Sequence, residues 1–421
     1  MIAARFAPIV LNQLAGLILG TAGYKLISNL VEPAIYGKYA LFLTLTQVGF
    51  LLTHSGLVNH VARYWQRESP QAAQYTRFVW HSAWRQSLGL VPLMLVIVAG
   101  LSVSNRTLDW LWVLPMLLIS NHATAILNVA TSALNASDRH WRSLFLGVLA
   151  AGTRALGPVA AVLWVLHGFV GLSLGYAAHG VIVISVIAFA VQHARTETGE
   201  RQENFSRWIA ELRDYGRPFF WLGAWGWCLW SVDRWLAFYF FGEERAGIFN
   251  MSLNIAAILP GFLYAGLMQA VFPKMFRLAD IATNAGDWRG IARRCDAMTA
   301  MFLIAGCVAL LLLKLASPYL IGTVLSEKYA ESFALLLPAG FAAMTLQINQ
   351  FYYLLLQGQH NSAAMVRVMA CVAGLKVVGG IISALISWQA FLIWLMVGLL
   401  MCFGLGRWMI RRIALEKNAS T

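Results

Sequence analysis

Charged side chains are scarce in this chain. Asp, Glu, Lys and Arg make up 12% of its 421 residues, whereas hydrophobic residues make up 59%. A soluble domain carries about 25% charged residues, and the mean hydropathy here is +0.66. A water-soluble fold has too little interior to hide so much apolar surface. The chain is therefore predicted to be a polytopic membrane protein.

Long polar stretches and paired cysteines are also missing. The longest polar interruptions, near 194–214 and 276–294, are about 20 residues each, which leaves no room for a soluble domain. The five cysteines show no paired spacing, so neither disulfides nor a zinc site are expected. No small-residue cleavage site precedes a polar region near the N-terminus, so the first apolar run is predicted to be a retained helix.

Apolar runs of about 20 residues or more, long enough to cross a bilayer, repeat along the whole chain. They predict an all-α polytopic membrane protein with about twelve transmembrane helices in two pseudo-symmetric six-helix lobes around a central cavity. The predicted spans are 7–31, 37–62, 80–103, 110–135, 144–166, 168–193, 215–241, 246–273, 295–316, 332–356, 362–386 and 388–412.

The Lys and Arg residues of the connections are distributed asymmetrically. One predicted side receives only Lys38, Arg106, Arg245 and Lys328, and nearly all other connection cations fall on the opposite side. Because cytoplasmic loops are rich in Lys and Arg, both termini are predicted to be cytoplasmic. The net charge of +13 is then a consequence of topology, and no nucleic-acid partner is expected.

Six cations lie outside the connections, and two of them, Arg85 and Lys314, are near helix ends and can snorkel. The other four lie deeper in predicted spans, where a charge is costly and marks a functional candidate. With about 1.5 Å of rise per residue, Arg154 and Lys376 fall near mid-bilayer, and Lys25 and Arg234 fall nearer the outside. A cavity lined in this way favours a large anion. The alternatives are structural: Lys25 is close enough to its helix end to snorkel, and Arg154 would form a buried ion pair.

Two short internal matches indicate a duplicated chain. YGKY at 36–39 aligns with AGIF at 246–249, and GTRALG at 152–157 aligns with GLKVVG at 374–379. Each half then carries one cation in its first helix and another in its fifth, as expected for parallel repeats. The predicted domains are an N-terminal six-helix lobe, a cytoplasmic linker and a C-terminal lobe with a short cytoplasmic tail, at 1–193, 194–214 and 215–421.

Asp233 is the acid expected at membrane depth, and two roles stay open for it. As a structural partner it would pair with Lys25 or Arg154, since its neighbour Arg234 points to another face of the helix. As a functional group it would carry a proton during transport.

Tryptophans crowd the same helix. Trp221, Trp225 and Trp230 have flat indole faces that suit the apolar faces of sugar rings. Tryptophan in a membrane protein is also a common packing residue and interfacial anchor. Sugar stacking is therefore one of two interpretations of these side chains.

Three stretches carry a family resemblance: LNQLAGLILGTAGYKLISNLVEPAIYGKYAL at 11–41, GLVNHVARY at 56–64, and the segment from YGRPFFWLGAWGW to GIFNMSLNIA at 215–256. They resemble polysaccharide-biosynthesis flippases. More narrowly, they are similar to the Wzx-type O-antigen and exopolysaccharide flippases of the multidrug/oligosaccharidyl-lipid/polysaccharide (MOP) exporter superfamily.

The resemblance implies a transporter of the bacterial inner membrane, not an enzyme. Its substrate would be an undecaprenyl-pyrophosphate-linked oligosaccharide, moved from the cytoplasmic to the periplasmic leaflet by alternating access. No cofactor is implied, and H⁺ or Na⁺ would supply the energy. Membrane lipids, a polysaccharide polymerase and the chain-length machinery are the implied partners, and a monomer is compatible with the sequence.

Two alternatives stay open. A multidrug antiporter of the same superfamily would line its cavity with acids, whereas cations dominate these predicted spans. A membrane polysaccharide polymerase or ligase would need a sizeable external loop, and the longest external connection, near 317–331, has about 15 residues. The sequence shows no nucleophile, base and acid set to support catalysis.

Overall fold

The structure is a computed structural model, and it describes residues 2–65, 68, 71–105, 108–193, 203–285, 288–321, 323–358 and 361–416. Over these residues the chain is almost entirely α-helical. In chain order the helices are α1 (Ile2–Leu30), α2 (Pro33–Gly49), α3 (Ser55–Tyr64), α4 (Ala72–Gly89), α5 (Val91–Asn105), α6 (Asp109–Trp112), α7 (Leu114–Ala136), α8 (His140–Trp164), α9 (Gly168–His193), α10 (Glu203–Ala285), α11 (Trp288–Leu320), α12 (Leu336–Ile348), α13 (Gln350–Gly358), α14 (Ser362–Ile386) and α15 (Trp388–Glu416).

Two irregular helices complete the list. A π-helical turn, Phe50–His54, joins α2 to α3, and a 3₁₀ helix, Glu327–Phe333, precedes α12. π-helical turns inside longer helices are often found at functional sites. The turn at Phe50–His54 falls in the middle of the span predicted at 37–62.

The helices confirm the predicted fold class. Within the described residues, 10 helices are long and apolar enough to cross a membrane. One of them, Phe205–Tyr264, contains a break and supplies two spans, and the bent pair of Glu327–Phe333 and Leu336–Tyr353 supplies another. About twelve transmembrane helices are thus accommodated, as the apolar runs predict.

The break in α10 is narrower than the sequence indicates. A polar turn is expected from Gly242 to Gly247, but only Gly242 leaves the helical conformation, with φ 88° and ψ 169°. This region of φ and ψ is essentially restricted to glycine. The residues at 243–246 are good helix formers or helix-tolerant, so the helix resumes immediately.

The first compact unit comprises Met1–Val31 and Lys38–Ala224. In it α1 packs against α8, α8 against α9, and α7 against both α3 and α9. A core of aromatic and aliphatic side chains includes Tyr75, Phe78 and the fully buried Trp208. The predicted linker at 194–214 is therefore helical from Glu203 onward and contributes to this core, while residues 194–202 lie outside the described residues.

The second compact unit comprises Glu32–Gly37 and Trp225–Thr421. Its helix α15 packs against α12 and α14, and α11 packs against α12 and α13. The short segment at 32–37 belongs here because its side chains find their partners here. Tyr36 accepts a hydrogen bond from Asn254, and the Glu32 carboxylate lies 2.6 Å from the Lys328 ammonium.

Candidate functional site

The second unit contains a buried ion pair between α10 and α14. Asp233 Oδ2 lies 2.7 Å from Lys376 Nζ, and both side chains are at most 5% exposed. The ammonium also donates a hydrogen bond to the Leu229 carbonyl at 2.6 Å. The second carboxylate oxygen, Asp233 Oδ1, is buried and has no hydrogen-bond partner among the described residues.

Arg234 lies on a different face of α10 and is also buried, with 4% of its surface exposed. Its guanidinium stands 4.6 Å from the centre of the Trp230 ring, one helical turn earlier. Arg234 Nη2 donates to Asn254 Oδ1 at 3.2 Å, and Asn254 Nδ2 donates to the Tyr36 hydroxyl at 2.7 Å. A cation above an indole face is stabilised by the ring quadrupole.

Glycines in α14 allow the close approach that these contacts need. Gly380 faces the Leu236 side chain so closely that an added Cβ would lie 2.7 Å from Leu236 Cδ1. Gly379 faces the Trp394 ring of α15, and Trp394 Nε1 donates to the Lys376 carbonyl at 3.3 Å. Small residues let membrane helices pack closely, which brings the lysine side chain within reach of the carboxylate.

The partner of Asp233 differs from the one expected. The sequence predicts a pairing with Lys25 or Arg154, whereas Asp233 is paired with Lys376 in the structure. The reason is packing, because the first and fifth helices of the second half are in direct contact. As a result, Lys376 has its charge compensated and only 4% of its surface exposed.

The corresponding helices of the first unit, α1 and α8, also pack together. An added Cβ at Gly23 would lie 3.0 Å from the Ala155 Cβ, so Lys25 and Arg154 lie on neighbouring helices close to this contact. Lys25 is half-buried and Arg154 is exposed. Beside them, Thr153 Oγ1 and His179 Nδ1 share a hydrogen bond of 2.7 Å. In both units the first and fifth helices thus pack together, but the side chains at the two contacts differ.

The predicted stacking tryptophans are divided between the two units. Trp221 belongs to the first unit, is exposed and contacts the edge of Phe220. Trp225 and Trp230 belong to the second unit and are half-buried. One face of Trp230 is covered by the Arg234 guanidinium. Their role in sugar binding stays a prediction.

Two polar residues of this site were not predicted from the sequence. Asn254 and Tyr36 form the hydrogen-bonded chain that ends on Arg234. Both lie in stretches that carry the family resemblance, but amides and phenols are common enough in membrane helices that their presence there gave no signal.

Solved transporter structures share this fold. An inward-facing multidrug resistance MATE family transporter of the MOP superfamily is similar with a TM-score of 0.66 and 14% identity, covering 98% of this chain and 96% of that chain. A MATE structure in the bent conformation has a TM-score of 0.58 and 14% identity, with 99% and 95% covered.

A third similar structure is a MOP superfamily transporter from Pyrococcus furiosus, described with a reverse polarity of its binding pocket that suggests a different function. It has a TM-score of 0.60 and 14% identity, covering 96% of this chain and 94% of that chain. At such identities the likeness establishes the fold alone. Among curated protein sequences, none matches this chain significantly.

A comparison with protein families identifies the family of this chain, whereas the solved structures establish only its fold. The family model described as polysaccharide biosynthesis protein matches residues 3–279, well over half of the chain. The match includes the first unit from residue 3 onward and the part of α10 that carries Asp233 and Arg234. This chain therefore belongs to the polysaccharide biosynthesis protein family.

Proposed function

We propose that this protein is a flippase that moves an undecaprenyl-pyrophosphate-linked oligosaccharide from the cytoplasmic to the periplasmic leaflet. The product would supply O-antigen or exopolysaccharide synthesis at the bacterial inner membrane, with both termini of the protein in the cytoplasm. Membership of the polysaccharide biosynthesis protein family and the fold of MOP transporters support this proposal.

The observation that carries the proposal is a surplus of positive charge on the membrane-spanning helices. Lys25, Arg154, Arg234 and Lys376 lie at the first and fifth helices of the two halves, where Asp233 is the acid. The Asp233 carboxylate is bound to Lys376, whereas Arg154 forms no ion pair with the described residues. An uncompensated charge at membrane depth is costly and is kept where it meets a ligand or a water-filled cavity.

Arg154 is the residue best suited to receive the anion. It is exposed at the middle of α8 and forms no ion pair with the described residues. A guanidinium holds phosphate oxygens through two parallel hydrogen bonds, which a lysine cannot do. Lys25, on the adjacent helix, would add a second positive charge to the same surface.

Alternating access provides a mechanism for this chemistry. The anionic head group would move through a cationic lumen while its polyprenyl tail stays in the bilayer. Each cationic site must bind weakly enough to release the head group again. H⁺ or Na⁺ antiport would drive the cycle, and no cofactor is required.

The experiment is a flipping assay in liposomes with a fluorescent undecaprenyl-pyrophosphate oligosaccharide and leaflet-selective quenching. Arg154→Gln is compared with Arg142→Gln, an exposed arginine of the same helix near its cytoplasmic end. We expect flipping by the wild type and by Arg142→Gln, and a loss of about tenfold or more in Arg154→Gln, since a charge-assisted hydrogen bond to phosphate is lost.

The outcomes distinguish a failure of the proposed activity from a failure of the proposed binding site. If the well-folded wild type moves no lipid-linked sugar under any imposed ion gradient, the flippase proposal fails. If the wild type flips and Arg154→Gln matches it, the activity stands and the role of Arg154 is refuted.

Multidrug antiport is the second candidate, because the similar structures include multidrug resistance transporters. The positive surplus on the spans opposes the binding of organic cations. Uptake of an organic cation by the same liposomes, with no flipping of the lipid-linked sugar, would favour this candidate instead.

A further inference from the structure

An open cleft of about 420 Å³ lies entirely within the first unit. Leu52, Leu57 and Gln86 from the second and third predicted spans form one wall. The first turns of α10 form the opposite wall, with apolar side chains at Ile209 and Phe220. Two arginines of α10, Arg213 and Arg217, also line it.

Close backbone contacts fix α10 against this wall. An added Cβ at Gly56 would lie 3.0 Å from Gly216 Cα, so the two helices touch through their glycines. Ser55 Oγ donates to the Phe219 carbonyl at 3.1 Å, and Gly223 packs directly on the Leu51 carbonyl. These contacts hold the first turns of α10 against the segment 51–56 beside the cleft.

The charges lie between two apolar parts of the α10 wall, with Ile209 on one side and Phe220 on the other. Arg213 and Arg217 are one helical turn apart, at the spacing that places two side chains on the same face. Phe220 is seven residues beyond Arg213, about 10 Å along the helix axis. From the predicted topology, Phe220 lies on the hydrocarbon side of the arginines. From the arginines to Phe220, the cleft is therefore amphipathic.

Both arginines are exposed and able to accept a ligand. Arg217 forms no ion pair with the described residues. Arg213 contacts the carboxylate of its neighbour Asp214 at 3.3 Å, and both side chains are about three-quarters exposed. Exposed ion pairs of this kind are weak, so a diphosphate would displace the Asp214 carboxylate.

We propose that this cleft is the docking site for the polyprenyl diphosphate carrier of the substrate, before the sugar moves. Each arginine would hold one phosphoryl group, and the first isoprenoid units would lie along Leu52 and Phe220. The volume lies within the range of about 300–1,000 Å³ found for small-molecule sites. It therefore fits the head and the first part of the tail, with the rest of the tail in the bilayer. The identity of the carrier rests on the proposed function.

The test is a binding measurement on the detergent-solubilised full-length protein by native mass spectrometry. The probes are undecaprenyl pyrophosphate, inorganic pyrophosphate and phosphatidylglycerol. The variants are the double change Arg213→Gln/Arg217→Gln and the apolar change Phe220→Ala. The matched control is Arg289→Gln/Arg293→Gln, which removes two exposed arginines at the same spacing on α11, on the same predicted side of the membrane.

We expect the Arg213/Arg217 double variant to bind undecaprenyl pyrophosphate at least about tenfold more weakly, because two charge-assisted hydrogen bonds are lost. The control variant should stay within about twofold of the wild type. Phe220→Ala should weaken the binding of undecaprenyl pyrophosphate and leave that of inorganic pyrophosphate unchanged, since only the tail contacts the ring.

Three results would overturn the proposal. The cleft and control variants could lose affinity equally, which would reduce the effect to general surface charge. The cleft variant could bind the carrier as the wild type does. Phosphatidylglycerol could compete at equal concentration, which would make the cleft a site for membrane phospholipid. Because binding needs no transport, a wild type that binds as expected but flips nothing would refute the flippase and leave the carrier site standing.

Discussion

Removing one partner of the Asp233–Lys376 ion pair is expected to destabilise the second unit strongly. The two charges lie 2.7 Å apart and are almost fully buried, so either one left alone is an uncompensated charge in a medium of low dielectric. The cost of breaking such a pair is about 3–5 kcal/mol in the free energy of unfolding. The structure also predicts which single change costs more.

Lys376→Met should stand at the upper end of that range. It leaves a buried carboxylate in which neither oxygen has a partner among the described residues, because Oδ1 has none in the wild type and Oδ2 loses the Lys376 ammonium. Asp233→Asn should stand at the lower end, because Lys376 keeps its hydrogen bond to the Leu229 carbonyl. The double change Asp233→Leu/Lys376→Met removes both charges and should restore stability to about the wild-type level or above it.

The assay is equilibrium unfolding in mixed micelles, with all variants compared in the same detergent. Lys314→Met is the matched control, since Lys314 donates to the Phe333 carbonyl at 2.8 Å but is only partly buried. It should cost no more than about 1.5–3 kcal/mol. Strictly additive effects in the double variant, or a Lys376→Met protein as stable as the wild type, would refute the reasoning. The same double variant also separates the two roles of Asp233: persistent flipping driven by a pH gradient would exclude a proton-carrying carboxylate.

Three further predictions test local features of the structure. Gly242→Ala forces a side chain into a region of φ and ψ that only glycine adopts easily, and should cost about 1–3 kcal/mol in thermal unfolding experiments. Gly247→Ala drives a Cβ into a backbone carbonyl of the segment 32–37 and should lower the melting temperature, whereas Gly374→Ala, which faces open space, should not. Glu68 is buried against the half-exposed Arg207 at 2.7 Å, so Arg207→Gln, which removes a positive charge beside a buried carboxylate, should destabilise more than Glu68→Gln in the same melting assay; equal effects would contradict this order.

The membrane-spanning helices were predictable because each comes from an apolar run of about 20 residues or more, and such a run can be recognised without reference to the others. The break at Gly242 was likewise signalled by a local cluster of glycine and charged residues, although its extent was overestimated. Hydrophobic runs and breaks are local properties of a sequence. They need no knowledge of which helices touch.

The pairing of Asp233 with Lys376 could not be predicted in this way. It depends on the close packing of α10 and α14, which are more than a hundred residues apart in sequence. The cleft depends similarly on the contact of Gly56 with Gly216. In the sequence, Arg213 and Arg217 are indistinguishable from the other cations of the connections, from which the topology is predicted.

The placement of residues 32–37 in the second unit has a consequence for biogenesis. This segment leaves the ribosome directly after the first helix, but the partners of Glu32 and Tyr36 include Lys328 and Tyr329. At roughly 5–20 residues per second, these partners are translated roughly 15–60 s later. During that interval the segment has no native environment, so it must tolerate water or lipid head groups while the translocon inserts the remaining helices. A glutamate and a tyrosine are polar enough to stay in contact with water or lipid head groups during this interval, whereas a run of aliphatic residues at this turn would not be.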